Sequence, residues 1–235
     1  MARKITRVWV LMAAMALAMP VFAQERLQQI SSRILHSLKV ERVDLAQEMN
    51  LFGQPAFTVA FTQTPSLDSF MRQVQDGKTV FNYTDVIDGH VFLQAELESA
   101  YAMLHLMATS ANSFRGELSL MEKHPSAAVN PSVFNERVAA RFLPWMPAGA
   151  QLLMDIELPG REMVSQQLYL FKQSVLQIQR EINARLIARQ WISNSETSPG
   201  MDFWHKDNES LYVFVYQTET GTGVYLMKKI RQATK

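Results

Sequence analysis

The sequence predicts an α+β protein of two similar subdomains, each an antiparallel meander sheet with one packed helix, preceded by an N-terminal amphipathic helix. Three observations predict it. Short runs alternating apolar and polar side chains recur in both halves of the 235-residue chain. In each half a stretch of helical period interrupts these runs. The halves also end alike, on Leu118-Ser-Leu-Met-Glu-Lys and Tyr225-Leu-Met-Lys-Lys.

Taken in order, the chain opens on a three-part secretory leader. Arg3, Lys4 and Arg7 supply a positive start, Val8 to Met19 is an apolar run of twelve residues, and Val21-Phe22-Ala23 offers a cleavage site after Ala23. The run is too short to span a hydrocarbon core ~30 Å thick, and no later stretch approaches the ~18 apolar residues of a spanning helix. No cysteine is present for lipid attachment. The expected mature chain is periplasmic or secreted, with no transmembrane segment.

Leu27, Ile30, Ile34, Leu35 and Leu38 recur at helical spacing and predict an amphipathic helix over 25–39. Phe57, Val59 and Phe61 then alternate with Thr58, Ala60 and Thr62 as one strand. Thr64-Pro65 is expected to cap a helix carrying Leu67, Phe70, Met71 and Val74, stopped by Gly77. Strands over 80–87 and 90–97 flank Asp88-Gly89, a dipeptide suited to the positive φ of a tight hairpin. Strands over 101–109 and 117–121 complete the first half. A loop over 124–130 leads to a short helix with Phe134, Val138 and Phe142.

The second half begins with the most regular alternation in the chain, Leu152, Met154, Ile156 and Leu158 against Gln151, Leu153, Asp155 and Glu157. Pro159-Gly160 turns it into a strand over 164–171. Ser174 and Gln177 form a capping-box pattern before a helix burying Val175, Ile178, Ile182 and Leu186. Strands over 203–206, 211–217 and 223–227 follow. The expected organisation is a leader over 1–23, a helix and linker over 24–50, subdomains over 51–125 and 150–235, and a helical linker over 126–149.

Composition excludes several classes of function. Loss of Arg3, Lys4 and Arg7 leaves 20 basic against 22 acidic residues, without the basic surplus of a nucleic-acid binder. The absence of cysteine removes disulfides, thiolate metal sites and thiol nucleophiles. No Gly-x-Ser-x-Gly elbow occurs, and the histidines show no triad-like spacing. Gly221-Thr-Gly223 lies between strands, so it is a turn and not a phosphate loop. No cofactor is expected.

Three groups of residues stand out. Met103, His105 and Met107 share one face of a strand, and two thioethers with an imidazole suit Cu(I); packing in a strand buried on both faces is the plainer reading. The pairs Asp155 with Glu157 and Glu96 with Glu98 are expected on solvated strand faces. Leu27, Ile30, Ile34 and Leu38 offer an apolar helix face, and Trp145 sits between two prolines beside the expected boundary; both are candidate partner-binding elements, with self-packing as the alternative. The resulting expectation is a non-enzymatic exported protein that binds a protein partner in an envelope assembly such as a secretion, conjugation, pilus or outer-membrane machine. A copper-binding protein and a ligand- or glycan-binding module are the alternatives.

Overall fold

A computed structural model describes residues 23–77, 79–123, 131–194 and 201–231; residues 1–22 of the expected leader and the loop over 124–130 lie outside them. The chain divides into two compact units, Met1–Glu48 with Gln54–His124, and Met49–Gly53 with Pro125–Lys235.

The first unit begins with helix α1 over 23–37. Leu27, Ile30, Ile34, Leu35 and Leu38 are all at least 93% buried and join the core of this unit. The helix ends with Lys39 in the left-handed region (φ 56°), while the Val40 amide donates to the Leu35 carbonyl at 2.9 Å. This is a Schellman closure with lysine in the usual glycine place. Strands β1 (Leu45–Leu51) and β2 (Gln54–Gln63) precede helix α2 (Leu67–Asp76). The α2 cap is Ser66, whose Oγ accepts from the Ser69 amide at 3.3 Å. The sequence expectation put the cap at Thr64; the cap lies two residues further on, and Thr64-Pro65 stands just ahead of it.

A meander completes the unit: β3 (Tyr83–Ile87), β4 (His90–Glu96), β5 (Ala100–Ser110) and β6 (Ser113–Glu122). The β3–β4 turn has φ of 50° at Asp88 and 79° at Gly89, as the dipeptide predicts. Alternation sends Phe57, Val59 and Phe61 of β2, Leu104 and Leu106 of β5, and Phe114, Leu118 and Leu120 of β6 into one core with Phe70 and Val74 of α2. Gly116 stands opposite Phe61, and a Cβ there would lie 2.2 Å from the fully buried ring. The glycine makes room for the aromatic side chain.

The second unit carries helix α3 (Pro131–Arg141), strands β7 (Gln151–Leu158) and β8 (Glu162–Phe171), helix α4 (Val175–Ala188), and strands β9 (Ile192–Asn194), β10 (Met201–Lys206), β11 (Glu209–Thr218) and β12 (Gly221–Arg231). Ser174 caps α4 through the Gln177 amide at 3.4 Å. The Gln177 side chain turns instead to Glu181, so only half of the expected capping box forms. Ile178, Ile182 and Leu186 are fully buried against Tyr169, Val213, Val224 and Leu226. The helix closes like α1, on a left-handed Gln190 (φ 65°) with the Trp191 amide on the Leu186 carbonyl.

The two units share one topology. Strand order in the first is β3-β4-β5-β6-β2-β1 and in the second β9-β10-β11-β12-β8-β7. The equivalence extends to register. Ala56 through Gln63 faces Met121 through Phe114, and Val164 through Phe171 faces Lys229 through Thr222, the same ladder displaced by 108 residues. Ser66 and Ser174 stand at the same displacement. The likeness read from the chain ends was out of step: Leu118 corresponds to Leu226, so the Leu-Met pairs of the two units lie two positions apart.

Strands β1 and β9 escaped the sequence reading. No residue of either is fully buried, so neither shows the apolar alternation that marks a core strand.

Replacing Gly116 by alanine is expected to lower stability by about 1–3 kcal/mol, because Phe61 must leave its rotamer. Denaturant unfolding followed by circular dichroism checks this, with Gly89→Ala as a comparison that meets no neighbour and perturbs only the turn.

Candidate functional site

Functional candidates fall in three places, each within one unit. The first is a polar network in the second unit. The β7–β8 register slips between Leu152 and Met154, a bulge that ends the apolar alternation of β7 and turns Asp155 inward. Asp155 is therefore fully buried rather than solvated. Arg141 at the end of α3 donates Nε–H to Asp155 Oδ2 at 2.7 Å and a terminal N–H to Glu157. Gln167 donates to Asp155 Oδ1 at 2.7 Å and to the Arg141 carbonyl at 3.0 Å. Tyr169 donates its hydroxyl to Gln167 at 3.1 Å and accepts from the Leu143 amide at 3.2 Å.

Burial opposes the charge of Arg141, yet its bonds to Glu157 and Asp155 outweigh that and raise its pKa. Burial pushes the Tyr169 phenol up to about 12, aided by the Asp155 charge and opposed by the Leu143 amide and Arg141. Both carboxylates of the Asp155–Glu157 pair are thus committed to a single arginine. This arrangement anchors α3. The other acidic pair, by contrast, is divided: Glu96 bonds Lys123, while Glu98 lies beyond the end of β4.

Trp145 packs on the core of the second unit. It lines a cavity of about 50 Å³ with Leu143, Ser165, Gln167, Trp191 and Lys228, a volume nearer to a water or two than to a sugar ring. The apolar residues of α1 are likewise occupied by their own core. Leu27, Ile30, Ile34 and Leu38 are 1%, 7%, 4% and 2% exposed. The plainer reading of that helix describes where these side chains lie.

The second place is the outer face of the first sheet. Met103, His105 and Met107 do share one face, but it is not a buried one. Met103 is 41% exposed, and His105 and Met107 are half-buried, while Ala102, Leu104 and Leu106 take the core side. The expectation of a strand buried on both faces is corrected here. Across the sheet, Met107 faces His90 on β4 and Arg115 on β6, and His105 faces Phe92 and Glu117. The sequence reading did not include His90, because the pairing of β4 with β5 is what brings it beside His105. Their Nδ1 and Nε2 atoms lie 2.7 Å apart.

The third place is the free edge of the same sheet. Strand β3 ends the strand order, and all five of its residues are exposed. Tyr83, Val86 and Ile87 are 65%, 67% and 59% exposed. Edge strands are normally protected by lysine, proline, a bulge or a covering segment. Asp85 is the only charge on β3. Its inner flank borders an open cleft of about 330 Å³ lined by Met71, Val74, Phe81, Thr84 and Leu93. No signal in the sequence distinguishes this edge, since the 80–87 run reads as an ordinary hairpin strand.

Among the described residues no helix is long and apolar enough to cross a membrane, and no group of three or more His, Asp or Glu converges to hold a metal. Fold and site together define an α+β protein of two topologically matched units, whose strand orders end on the exposed strand β3 in the first and on the shorter exposed strand β9 in the second. No protein-family profile and no curated protein matches the chain. Among solved structures it has slight similarity to MucB in complex with MucA(peri), at 9% identity and TM-score 0.20 over 88% of this chain and 94% of that one. It is also slightly similar to the di-domain ARO/CYC BexL from the BE-7585A biosynthetic pathway, at 8% identity and TM-score 0.13 over 89% and 81%. Likenesses this slight define neither its fold nor its function.

The raised pKa of Tyr169 carries a consequence for alkaline stability. Between pH ~10 and ~12 the unfolded chain loses this phenolic proton while the folded chain keeps it. Stability is therefore expected to fall as pH rises through that window. Tyr169→Phe should flatten this part of the profile, while lowering stability at neutral pH by about 1–3 kcal/mol through the stranded Leu143 amide and Gln167 carbonyl. Urea unfolding across pH 8–12 provides the check.

Proposed function

We propose that the chain is an exported, non-enzymatic protein of the cell envelope whose first unit binds an extended segment of a protein partner along β3. The observation that carries this reading is the exposed edge of that strand. In a two-residue hairpin closed by Ile87 and His90, alternation points the backbone N–H and C=O of Thr84 and Val86 away from β4. A partner strand added there satisfies those groups by main-chain hydrogen bonds, and pockets beside the edge select alternate side chains.

The cleft lined by Met71, Val74, Phe81 and Leu93 offers such a pocket next to Thr84. It suits an apolar side chain on the segment. Export rests on the leader pattern of Arg3 to Ala23, and the absence of enzymatic activity on a sequence without a paired nucleophile and base. The partner is accordingly a protein of the same compartment, and assembly within an envelope machine is the broader role in which such a contact fits.

Val86→Pro tests the reading, since it removes an N–H that faces solvent in the free protein and is tolerated at an edge. A photo-crosslinker at Thr84 in cells should trap one discrete heavier species through an extended segment of the partner, and Val86→Pro should abolish it with little change in melting temperature. Recovery of monomer alone, or trapping that survives Val86→Pro unchanged, contradicts the proposal.

A further inference from the structure

The outer face of the first sheet brings together donors that the partner-binding reading does not use. His90 and His105 face each other through His90 Nδ1 and His105 Nε2 at 2.7 Å. Their ring centroids are 5.0 Å apart with an interplanar angle of 21°. That separation is the nitrogen contact plus two ring radii, so the imidazoles meet edge to edge and nearly in one plane. The in-plane lone-pair directions of two nitrogens therefore point at one another along a single line. In the metal-free protein one nitrogen carries the proton that the other accepts.

Met107 completes a compact triangle. It faces His90 across the β4–β5 ladder and lies two residues from His105 on the same face. Cross-strand neighbours sit about 4.5–5.5 Å apart at Cβ, within reach of a flexible thioether. Phe92 lies parallel to the His105 ring, with centroids 4.7 Å apart and planes within 9°. Around the triangle stand three charged residues, Arg115 opposite Met107, Glu117 opposite His105 and Asp85 opposite Phe92, so the preference for an ion rests on the donor atoms themselves. Met103 is set apart, facing Gln94 and Ser119.

We propose that His90, His105 and Met107 form a site for a single Cu(I) ion, with the two imidazole nitrogens in line and the Met107 sulfur at the side. Two neutral imidazoles and a thioether are a soft, uncharged donor set, which favours a soft monovalent ion over Zn(II), Mg(II) or Ca(II). Metal–nitrogen bonds of about 2 Å require the nitrogens to part by roughly 1 Å. Both rings are half-buried on an open sheet face and have room to turn. The proton between the rings moves to the far nitrogen of its own imidazole as the ion enters, so no proton need leave the protein.

The test is anaerobic competition for Cu(I) between the purified protein and a chromogenic Cu(I) chelator. The expected result is transfer of one ion per chain. His90→Ala and His105→Ala should each weaken binding at least about tenfold, Met107→Leu should weaken it less, and Met103→Leu should leave it unchanged. Near-unaltered melting temperatures show that the outer-face variants fold. Failure of the wild-type protein to withdraw Cu(I), or binding by His90→Ala equal to wild type, overturns the site. Tighter binding of Zn(II) than of Cu(I) overturns the ion assignment. None of these outcomes bears on the β3 edge, whose partner contact uses other residues.

Discussion

Each unit depends on one strand pairing that local sequence does not make. Most strand neighbours within each unit are consecutive strands joined by a turn, and these ladders form between residues close in the chain. The exceptions within each unit are β2 with β6 and β8 with β12. Those pairings bring the strand before the helix against the last strand of the meander, about fifty residues on. Closing such a loop is entropically unfavourable, so the burial it creates must outweigh that loss. In the first unit the return is Phe57, Val59 and Phe61 against Leu120, Leu118 and Gly116, under α1 and α2. In the second it is Tyr169 and Phe171 against Val224 and Thr222, under α4.

The units solve the same problem with different chemistry. A sheet apolar on one face needs a cover. In the first unit α1 supplies it with five buried aliphatic residues, an arrangement that is plain from their spacing. In the second, α3 is held by Arg141 reaching two carboxylates that a bulge has turned toward it. Position 61 is phenylalanine where position 169 is tyrosine, so the hydroxyl that joins the second network has no counterpart in the first. Such a buried ion pair defines where a helix sits more than it adds stability.

Much of this fold was legible in sequence, and the failures have physical causes. Alternation identified β2, β4 and β5, and helical spacing identified α1 and α4, because each buries one regular stripe. Strands β1 and β9 bury no residue fully and so left no pattern. The Asp155–Glu157 pair looked solvated because the bulge at Leu152 and Met154 has no local sequence signature. His90 was invisible as a partner of His105 for a related reason: residues fifteen apart become neighbours only when β4 and β5 take their register. The exposed edge of β3 is a property of strand order, which no single segment encodes. What sequence shows well is the inward-facing side of the molecule; the outward-facing histidines and the open edge, on which the functional readings rest, come from pairing.

The claim underlying all of this is that both closing ladders hold the same register, 108 residues apart. The chain has no cysteine, so paired substitutions report on register without interference. Thr58 faces Ser119 on the first unit, and Gln166 faces Met227 at the equivalent positions of the second. Cysteines introduced at Thr58 and Ser119, or at Gln166 and Met227, should oxidise to an intramolecular disulfide, since directly opposed strand residues lie within the span a disulfide bridges. Pairs moved by one residue, Thr58 with Leu120 and Gln166 with Leu226, should stay reduced because their side chains lie on opposite faces. Closure of the shifted pairs, or failure of either matched pair in a folded protein, would contradict the repeated register.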